Sequence, residues 1–479
     1  MAYQTINPYT NEVVKDYPEA TDQQVEEALQ RGHELYHTFK KQAIKERAKL
    51  LHQVAAKIRE RSDELARTCT IDMGKLLVEA QGEVELCAVI VDYFADHAEE
   101  MLKPEEIDTI ANGKAHIHHQ ATGVIMMVEP WNFPYYQIIR VFAPNFMVGN
   151  PMILKHASNT PSSAQLMADV IEDAGVPKGS LTNLFLNYDQ VSEIIADPRV
   201  QGVALTGSER GGAAVAKVAG EHLKRTTLEL GGMDPFIVMD DANMDEVTEI
   251  AWRSRLYNAG QECTSSKRFI VMEKVYDEFV EKLKDNFSRV KPGDPLDSDT
   301  TIAPMNSKKA KEELQKQVDD AISAGAKVVY GNEPIDLPGQ FFMPTILTNI
   351  DRDNPAHTTE MFGPVAVVYK VATEEEAIDL ANDSSYGLGG IVFAGDSNHG
   401  AEIAEKIETG MVFVNSFRYS LPELPFGGVK RSGYGREMSS IGLMAFVNDK
   451  LILKADKPDL DNLASGLVAS TTLDKKNKE

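Results

Sequence analysis

The chain has few cysteines and no long apolar run, and both shortages exclude classes of protein. Its 479 residues include three cysteines, Cys69, Cys87 and Cys263. So sparse and odd a count argues against a disulfide framework and favours a reducing compartment. No apolar run approaches the roughly 18 residues that span a bilayer, and the first residues lack the basic and apolar regions of a signal peptide. We therefore expect a cytoplasmic protein with no membrane partner.

Positive charge is also in short supply. The 49 Lys and Arg residues face 73 Asp and Glu residues, which gives a net charge of −24. A surface of this sign repels phosphate backbones, so we expect no nucleic-acid partner. A local pocket can invert the global field, so the net charge is compatible with an anionic small-molecule substrate.

What the chain does have is a long alternation of helical and strand patterns. Residues 21–102 repeat apolar side chains at helical spacing, and Thr21 with Gln24 predicts a capping box at the first helix. Strands and helices then alternate, which is typical of parallel sheets. We predict an α/β fold with two such domains and a boundary just after Gly232. The strands are predicted at 123–128, 151–155, 181–186, 202–206, 236–239, 269–272 and 365–369, with a helix over 162–174.

Cys263 is the strongest candidate for chemistry. It lies in Asn258-Ala259-Gly260-Gln261-Glu262-Cys263-Thr264, whose small and polar residues leave room for a substrate, as a nucleophilic thiol requires. Cys69 and Cys87 lie in helical patterns, where cysteine usually fills apolar space. A buried, inert Cys263 is the alternative, and the polar surroundings argue against it. The adjacent Glu262 would raise the thiol pKa by repulsion unless its side chain points away.

A base and an oxyanion donor accompany this cysteine in the sequence. Glu229 is flanked by Leu228 and Leu230, and burial would raise its pKa toward the range useful to a general base. Asn132, in Glu129-Pro130-Trp131-Asn132-Phe133-Pro134, has an amide that can donate to a developing oxyanion. The alternatives are a structural ion pair for Glu229 and an ordinary turn for 129–134.

A phosphate-binding turn is predicted at Leu205-Thr206-Gly207-Ser208-Glu209-Arg210-Gly211-Gly212. Here a strand passes through glycine into a helix, whose N-terminus can bind a pyrophosphate. The segment lacks the G-x-G-x-x-G spacing, so an ordinary Rossmann dehydrogenase is disfavoured. A strand-to-helix turn without a ligand is the alternative.

These motifs, with 360–364 and 425–433, resemble those of the aldehyde dehydrogenase superfamily in type, order and spacing over about residues 6–447. The resemblance implies two Rossmann-like parallel-sheet domains plus a small β oligomerisation arm, and a homodimer or homotetramer. Residues 1–102 and 122–232 would form the cofactor-binding domain and 233–445 the catalytic domain. The arm would comprise 103–121 and 446–456, followed by a polar tail, 457–479, whose last dozen residues we expect to be loosely held.

The resemblance also implies oxidation of an aldehyde to a carboxylic acid with NAD(P)+ through a cysteine thioester. Cys263 would be the nucleophile, Glu229 the base, and Asn132 the oxyanion donor with the Cys263 backbone N–H. The residues implied in cofactor binding are Trp131, Lys155, Ser158, Gly207, Ser208, Gly212, Leu230, Glu360 and Phe362. Relatives that prefer NAD often have glutamate where this chain has Ser158, and serine would tolerate a 2′-phosphate. We therefore predict NADP as the preferred cofactor, with NAD accepted.

The substrate prediction depends on Arg140. The segments 153–157 and 229–238 are similar to those of bacterial succinate-semialdehyde dehydrogenases, and Arg140 would pair with a distal carboxylate. Some members carry a second arginine where this chain has Tyr257, so hydroxyls of Tyr136, Tyr257 and Ser416 are further candidates. A structural role for Arg140 is the alternative.

The sequence leaves four alternatives to weigh against oxidation of succinate semialdehyde to succinate. The first is an aldehyde dehydrogenase of broad or different specificity. A non-redox cysteine hydrolase would need a histidine partner, and none is near Cys263 in sequence. A non-catalytic scaffold would not need Cys263, Glu229 and Asn132. A metal site at His116, His118 and His119 lacks an acidic or cysteine ligand in the same segment, so we predict no metal.

Overall fold

The computed structural model describes residues 3–458, so most of the predicted polar tail lies outside the described residues. The strands are β1 Tyr3–Ile6, β2 Val13–Tyr17, β3 Glu105–Ile107, β4 Lys114–Ala121, β5 Val124–Glu129, β6 Met152–His156, β7 Leu181–Asn183, β8 Val200–Thr206, β9 Arg225–Glu229, β10 Pro235–Val238, β11 Arg268–Met272, β12 Lys327–Tyr330, β13 Thr345–Thr348, β14 Val365–Val371, β15 Tyr386–Gly387, β16 Ile391–Phe393, β17 Phe413–Val414, β18 Val429–Lys430, β19 Gly433–Tyr434 and β20 Val447–Lys454.

The helices are α1 Asp22–Phe39, α2 Ile44–Glu60, α3 Ser62–Met73, α4 Leu77–Met101, α5 Tyr136–Val148, α6 Pro161–Asp173, α7 Tyr188–Ala196, α8 Glu209–Glu221, α9 Met244–Leu256, α10 Glu273–Ser288, α11 Lys308–Ser323, α12 Pro355–Thr358, α13 Glu374–Asn382, α14 Ser397–Ala404 and α15 Ser439–Leu443. Two 3₁₀ turns span Tyr257–Gly260 and Met444–Phe446. Within residues 3–458 no helix has both the length and the apolar character needed to cross a bilayer.

The helical N-terminal region forms as the sequence predicts. The Thr21 side chain accepts from the backbone N–H of Gln24, and the Gln24 side chain accepts in return, so the predicted capping box is confirmed. Helices α2, α3 and α4 pack on one another, and α2 and α4 also pack on α5. Cys69 and Cys87 are fully buried in this core. Cys87 fits the predicted apolar filler, whereas the Cys69 thiol also donates to Glu83 Oε2 at 4.0 Å.

The first large sheet positions the candidate site. Its strand order is β19-β9-β8-β5-β6-β7, parallel except for β19. Strand β5 comes first among the parallel strands and lies in the middle, with β6 and β7 on one side and β8 and β9 on the other. In such doubly wound sheets the ligand crevice lies at the carboxyl ends of the strands where the order reverses. Here that reversal falls between β5 and β8.

Strand β7 is shorter than predicted, because the chain leaves the sheet after Asn183. Phe185 instead packs against Tyr3 and Tyr17, with ring centroids 5.1 and 4.8 Å apart. The Tyr3 hydroxyl donates to the carbonyl oxygen of Leu186 at 2.7 Å. The β1–β2 hairpin thus packs against Phe185. Such a contact between distant parts of the chain cannot be predicted from the residue pattern of 181–186.

The second large sheet has the order β12-β13-β14-β11-β10-β16-β17 and is parallel except for β12. Its strand β10 begins at Pro235, shortly after Gly232, and β11 begins at Arg268, shortly after Cys263. The segment that follows Glu229 and the loop that contains Cys263 therefore both lie where the chain enters this sheet.

A third, small sheet has the order β20-β4-β3, and its antiparallel pairing runs from Val447 with Ala121 to Lys454 with Lys114. The side chains of β20 beyond Val447 are exposed. The carbonyl oxygen of Phe446 accepts from Thr122 Oγ1 at 3.0 Å and Asn150 Nδ2 at 3.1 Å. The Phe446 ring lies so close to β8 that a Cβ at Gly202 would be 2.4 Å from its Cδ1.

A fully buried ion pair joins the segment before α4 to α4 itself. Lys75 Nζ contacts Glu83 Oε2, while Glu83 Oε1 accepts from the backbone N–H groups of Tyr135 and Tyr136 at 2.8 and 3.0 Å. The Lys75 ammonium also lies 3.7 Å from the centre of the Phe133 ring. This pair therefore anchors the first turn of α5 and the loop before it.

Replacing Lys75 with methionine should lower the free energy of unfolding by about 3–5 kcal/mol, because a buried Glu83 carboxylate loses its countercharge. The double variant Lys75→Met/Glu83→Gln should recover most of this loss, because the glutamine carbonyl still accepts from Tyr135 and Tyr136. Urea unfolding at one fixed protein concentration measures both values. A double variant as unstable as Lys75→Met would contradict this assignment.

Candidate active site

Three cavities meet around Cys263 and Ser208. The aromatic cavity, about 270 Å³, is lined by Leu86, Phe133, Tyr136, Gln137, Arg140, Tyr257, Glu262, Cys263, Thr264, Phe417, Arg418, Tyr419, Ser420, Leu421 and Phe426. The central cavity, about 230 Å³, is lined by Pro130, Trp131, Asn132, Gln137, Thr206, Gly207, Ser208, Leu230, Gly231, Cys263, Glu360 and Phe362. The outer cavity, about 680 Å³, has Lys155, Tyr188, Ser208, Arg210 and Lys217 in its wall. Cys263 faces the first two cavities, and Ser208 faces the last two.

The Cys263 loop is held by a strained turn and by one lysine. Asn258 and Ala259 adopt left-handed φ angles of 51° and 52°, which are uncommon for residues with a Cβ. Gly260 is required at φ 72°, since a Cβ there would lie 2.5 Å from the carbonyl oxygen of Gly363. Lys267 Nζ donates to the carbonyl oxygens of Glu262 at 2.9 Å and Cys263 at 2.7 Å. The loop is therefore held by contacts within the protein itself.

Asn132 is tied directly to this loop. Its Nδ2 donates to the carbonyl oxygen of Gln261 at 3.1 Å, and its own carbonyl oxygen accepts from Asn258 Nδ2 at 2.9 Å. Asn132 follows β5 and lines the central cavity together with Cys263. The predicted oxyanion donor and nucleophile thus share one cavity wall at the switch point of the first sheet.

Burial keeps the Cys263 thiol protonated at neutral pH. Loss of solvation raises its pKa to about 12, and the nearby cations Arg140 and Lys267 only partly oppose this. The neighbouring Glu262 carboxylate is directed at the Arg418 guanidinium, with which it forms an ion pair. The repulsion expected from Glu262 is therefore balanced by a positive charge.

Glu229 lies at the end of β9, beside the cavities rather than in any of their three walls. Burial first, and then the Glu437 carboxylate, raise the Glu229 pKa well above its usual range, while Arg140 lowers it. Within residues 3–458 its carboxylate oxygens have no hydrogen-bond partner. Glu437 approaches because β19 pairs with β9, opposing Gly433 to Glu229.

Arg140 lies in the wall of the aromatic cavity and also serves a buried cluster. Its Nε contacts Glu437 Oε2 in an ion pair, and its Nη2 donates to Thr206 Oγ1 at 2.9 Å. Its guanidinium also lies over the Tyr136 and Phe426 rings, at 5.0 and 4.6 Å. The geometry is compatible with both roles considered for Arg140, namely substrate binding and structural support.

The other predicted substrate residues divide into two groups. Tyr136 and Tyr257 line the aromatic cavity. Ser416 is not in its wall, since the chain turns at Asn415 (φ 50°) and Ser416 Oγ donates to the carbonyl oxygen of Phe417 at 3.0 Å. The serine that the wall contains is Ser420.

Most predicted cofactor residues lie along the central and outer cavities. Ser208 is the N-cap of α8, and its Oγ accepts from the backbone N–H of Gly211 at 3.3 Å. A Cβ at Gly212 would lie 2.7 Å from Leu230, so this helix approaches the end of β9 closely. Of the positions predicted to bind the cofactor, those that line the central cavity are Trp131, Gly207, Ser208, Leu230, Glu360 and Phe362.

Lys155 lies within β6 and Ser158 just after it, and the two residues have different surroundings. Lys155 lines the outer cavity, where burial lowers its pKa to about 8. Ser158 lies two residues beyond β6 and outside that wall, with its carbonyl oxygen accepting from the backbone N–H of Gln4 at 3.0 Å. The sequence did not single out Tyr188 and Lys217, which also line this cavity, because nothing in one sequence links them to β6.

Of the three histidines in β4, His119 pairs with carboxylates. His119 contacts Asp449 at 2.8 Å and Glu105 at 3.6 Å, so acidic neighbours come from β20 and β3 rather than from its own segment. Across the part of the chain that the structure describes, no group of three or more His, Cys, Asp and Glu side chains could hold a metal ion.

Comparison with known proteins identifies the class. The family model described as the aldehyde dehydrogenase family matches residues 1–452, and the chain belongs to this family. Among its relatives is the succinate-semialdehyde dehydrogenase [NADP(+)] of Deinococcus radiodurans, 47% identical over 94% of both chains. The Mycobacterium avium protein of the same name is 43% identical, covering 94% of this chain and 96% of that protein.

A solved structure agrees with this fold. The crystal structure of succinic semialdehyde dehydrogenase from Streptococcus pyogenes in complex with NADP+ has 56% sequence identity and a TM-score of 0.94. The match covers 95% of this chain and 100% of that one. The predicted α/β fold of the aldehyde dehydrogenase type is therefore confirmed.

Alkylation of Cys263 in the ligand-free protein should accelerate about tenfold per pH unit between pH 7 and pH 10, because the thiolate reacts and the thiol pKa of about 12 lies above this range. Iodoacetamide labelling followed by peptide mass spectrometry measures the rate. Cys263→Ser is the control and should take up almost no label, since Cys69 and Cys87 are buried. A rate that levels off below pH 9 would refute the raised pKa.

Proposed function

We propose that this aldehyde dehydrogenase oxidises succinate semialdehyde to succinate, with NADP+ as the preferred cofactor and NAD+ as an accepted one. The observation that carries the proposal is the position of Cys263 between the aromatic cavity, whose wall includes Arg140, and the central cavity at the switch point. The names of the relatives support the choice of substrate and cofactor.

The residues present fit a dinucleotide. Lys155, Arg210 and Lys217 line the outer cavity in a chain of net charge −24, and the N-terminus of α8 opens beside them. Such a local concentration of positive charge and backbone donors suits a pyrophosphate and a 2′-phosphate. Ser208 would contact the pyrophosphate, and Glu360 the nicotinamide ribose. The bound nicotinamide supplies the acceptor for hydride from the substrate.

In the proposed mechanism the protein supplies three groups. The Cys263 thiol first gives its proton to solvent water, and the sulfur then bonds to the aldehyde carbon while the carbonyl π bond breaks and its electron pair passes to oxygen. Asn132 Nδ2 and the Cys263 backbone N–H then donate to the oxygen that becomes negative. After oxidation to the thioester, Glu229 takes a proton from the attacking water, and the C–S bond breaks to release succinate. The high Glu229 pKa favours this proton transfer, provided that the carboxylate moves toward the central cavity.

The raised Glu229 pKa also fixes the direction of the pH dependence. A base must be unprotonated to act, so its active fraction grows as pH rises toward the raised pKa. The thiolate fraction of Cys263 grows in the same direction. Both groups therefore favour alkaline pH for the ligand-free enzyme.

The proposal extends to organisation and compartment. We assign 1–102 with 122–232 to cofactor binding, 233–445 to the catalytic domain, and 103–121 with 446–456 to an arm that joins subunits. Exposed Leu451 and Leu453 on β20 support subunit contact through this arm, giving a homodimer or homotetramer. The sparse cysteines support a cytoplasmic location.

Succinate semialdehyde with NADP+ should give stoichiometric NADPH and succinate, followed at the nicotinamide absorbance band. Cys263→Ser should lower kcat at least about 10⁴-fold, as loss of a nucleophile does, and Asn132→Ala should lower it about 10²–10³-fold. Cys87→Ala is the matched cysteine control and should retain kcat. Acid release without NADPH would indicate a hydrolase, and an uncharged aldehyde oxidised equally well would indicate a different substrate class.

The cofactor preference should depend on position 158. The wild-type kcat/KM should be higher with NADP+ than with NAD+, and Ser158→Glu should lower the NADP+/NAD+ ratio at least about tenfold by repelling the 2′-phosphate. Ser158→Ala is the control for loss of the hydroxyl without added charge. A strong wild-type bias to NAD+ would defeat the prediction.

A further inference from the structure

The aromatic cavity contains a second arginine, Arg418. It follows β17, lies in the same wall as Cys263 and Arg140, and is only 7% exposed. Its guanidinium is 4.7 Å from the centre of the Phe417 ring. A buried positive charge is therefore available within the cavity that would receive the substrate.

The donors of Arg418 are only partly used. Nη1 donates to Ser254 Oγ at 2.7 Å and to its carbonyl oxygen at 3.2 Å. Nη2 pairs with Glu262. Nε is buried and has no hydrogen-bond partner among the residues that the structure describes. A carboxylate commonly binds arginine through two parallel N–H donors, and here one donor of the Nε–Nη2 edge is vacant.

Glu262 competes for this edge. One carboxylate oxygen contacts Arg418, and the other accepts from Thr264 Oγ1 at 3.0 Å. Glu262, Thr264 and Arg418 all line the aromatic cavity. An internal carboxylate thus already occupies part of the position that a carboxylate ligand would take.

Arg140 is more fully committed than Arg418. Its Nε is paired with Glu437, and the carboxylates of Glu229 and Glu129 also act on it. Within the described chain, Arg418 has Glu262 in ion-pair contact, Asp234 as a second carboxylate acting on it, and an Nε that contacts neither a hydrogen-bond acceptor nor an ion-pair partner. Of the two arginines in the cavity, Arg418 has the greater remaining capacity for an anion.

We infer that Arg418 is a specificity-determining residue that binds the distal carboxylate of an aldehyde acid through Nε and Nη2. Glu262 holds the guanidinium in the free enzyme and weakens acid binding by competing for the same edge. This inference rests on the proposed function for its substrate class. It predicts opposite effects for the two residues: removing the arginine weakens binding of the acid, and neutralising the glutamate strengthens it.

A binding test can be made without redox turnover. Succinate should slow iodoacetamide labelling of Cys263, and the concentration for half-protection should rise about tenfold or more in Arg418→Met, as expected for loss of a charge-assisted hydrogen bond. Arg418→Lys should recover part of the protection, and Glu262→Gln should lower the half-protection concentration. Arg59→Met, a surface arginine outside the cavity wall, is the matched control.

A kinetic test uses succinate semialdehyde and butanal as an acid and an uncharged aldehyde. Arg418→Met should raise the KM for the acid about tenfold more than the KM for butanal, with a smaller change in kcat. Equal effects on both aldehydes, or succinate protection that is unchanged in Arg418→Met, would overturn the inference and leave Arg418 as support for Ser254. If the wild type fails to oxidise succinate semialdehyde, the proposed function fails, and the protection series still decides the role of Arg418.

Discussion

The candidate site depends on the buried Lys267 ammonium. It donates to the carbonyl oxygens of Glu262 and Cys263, approaches Glu360 Oε1 at 3.3 Å, and is 2% exposed. One buried cation thus binds two successive carbonyl groups of the cysteine loop and helps to define the path of its backbone. Glu360 in turn accepts from the backbone N–H of Gly232 at 3.1 Å. A single charge thereby connects the loop with Cys263, the segment after Glu229 and the central cavity.

The chain order explains why these segments meet. Strand β5 ends just before the loop containing Asn132, and β8 ends at Thr206, two residues before Ser208, on either side of the reversal in strand order. Backbone donors and side chains from both strand ends therefore face one crevice. The second sheet contributes Cys263 from the segment that enters β11. The site is therefore built from both sheets: Asn132 follows a strand of the first sheet, and Cys263 precedes a strand of the second.

Much of this could be predicted from patterns that are local in sequence. The capping box at Thr21, the buried strand β5 and the turn at Ser208 each depend on residues within a few positions. The resemblance supplied the combination of Cys263, Glu229 and Asn132. Pairs such as Arg418 with Glu262, or Arg140 with Glu437, could not be predicted, because each joins residues far apart in sequence. The place of Ser420, rather than Ser416, in the cavity wall similarly depends on the turn at Asn415.

The attachment of Phe446 has a mechanical consequence. This residue immediately precedes β20, its carbonyl oxygen is held by Thr122 and Asn150, and its ring leaves no space for a side chain at Gly202 of β8. Strand β8 is the one that ends at the turn before Ser208. A displacement of β20 would therefore move Phe446 against β8, whose last residue, Thr206, lines the central cavity. A force on this peripheral strand would thus be transmitted to the crevice proposed to bind the dinucleotide.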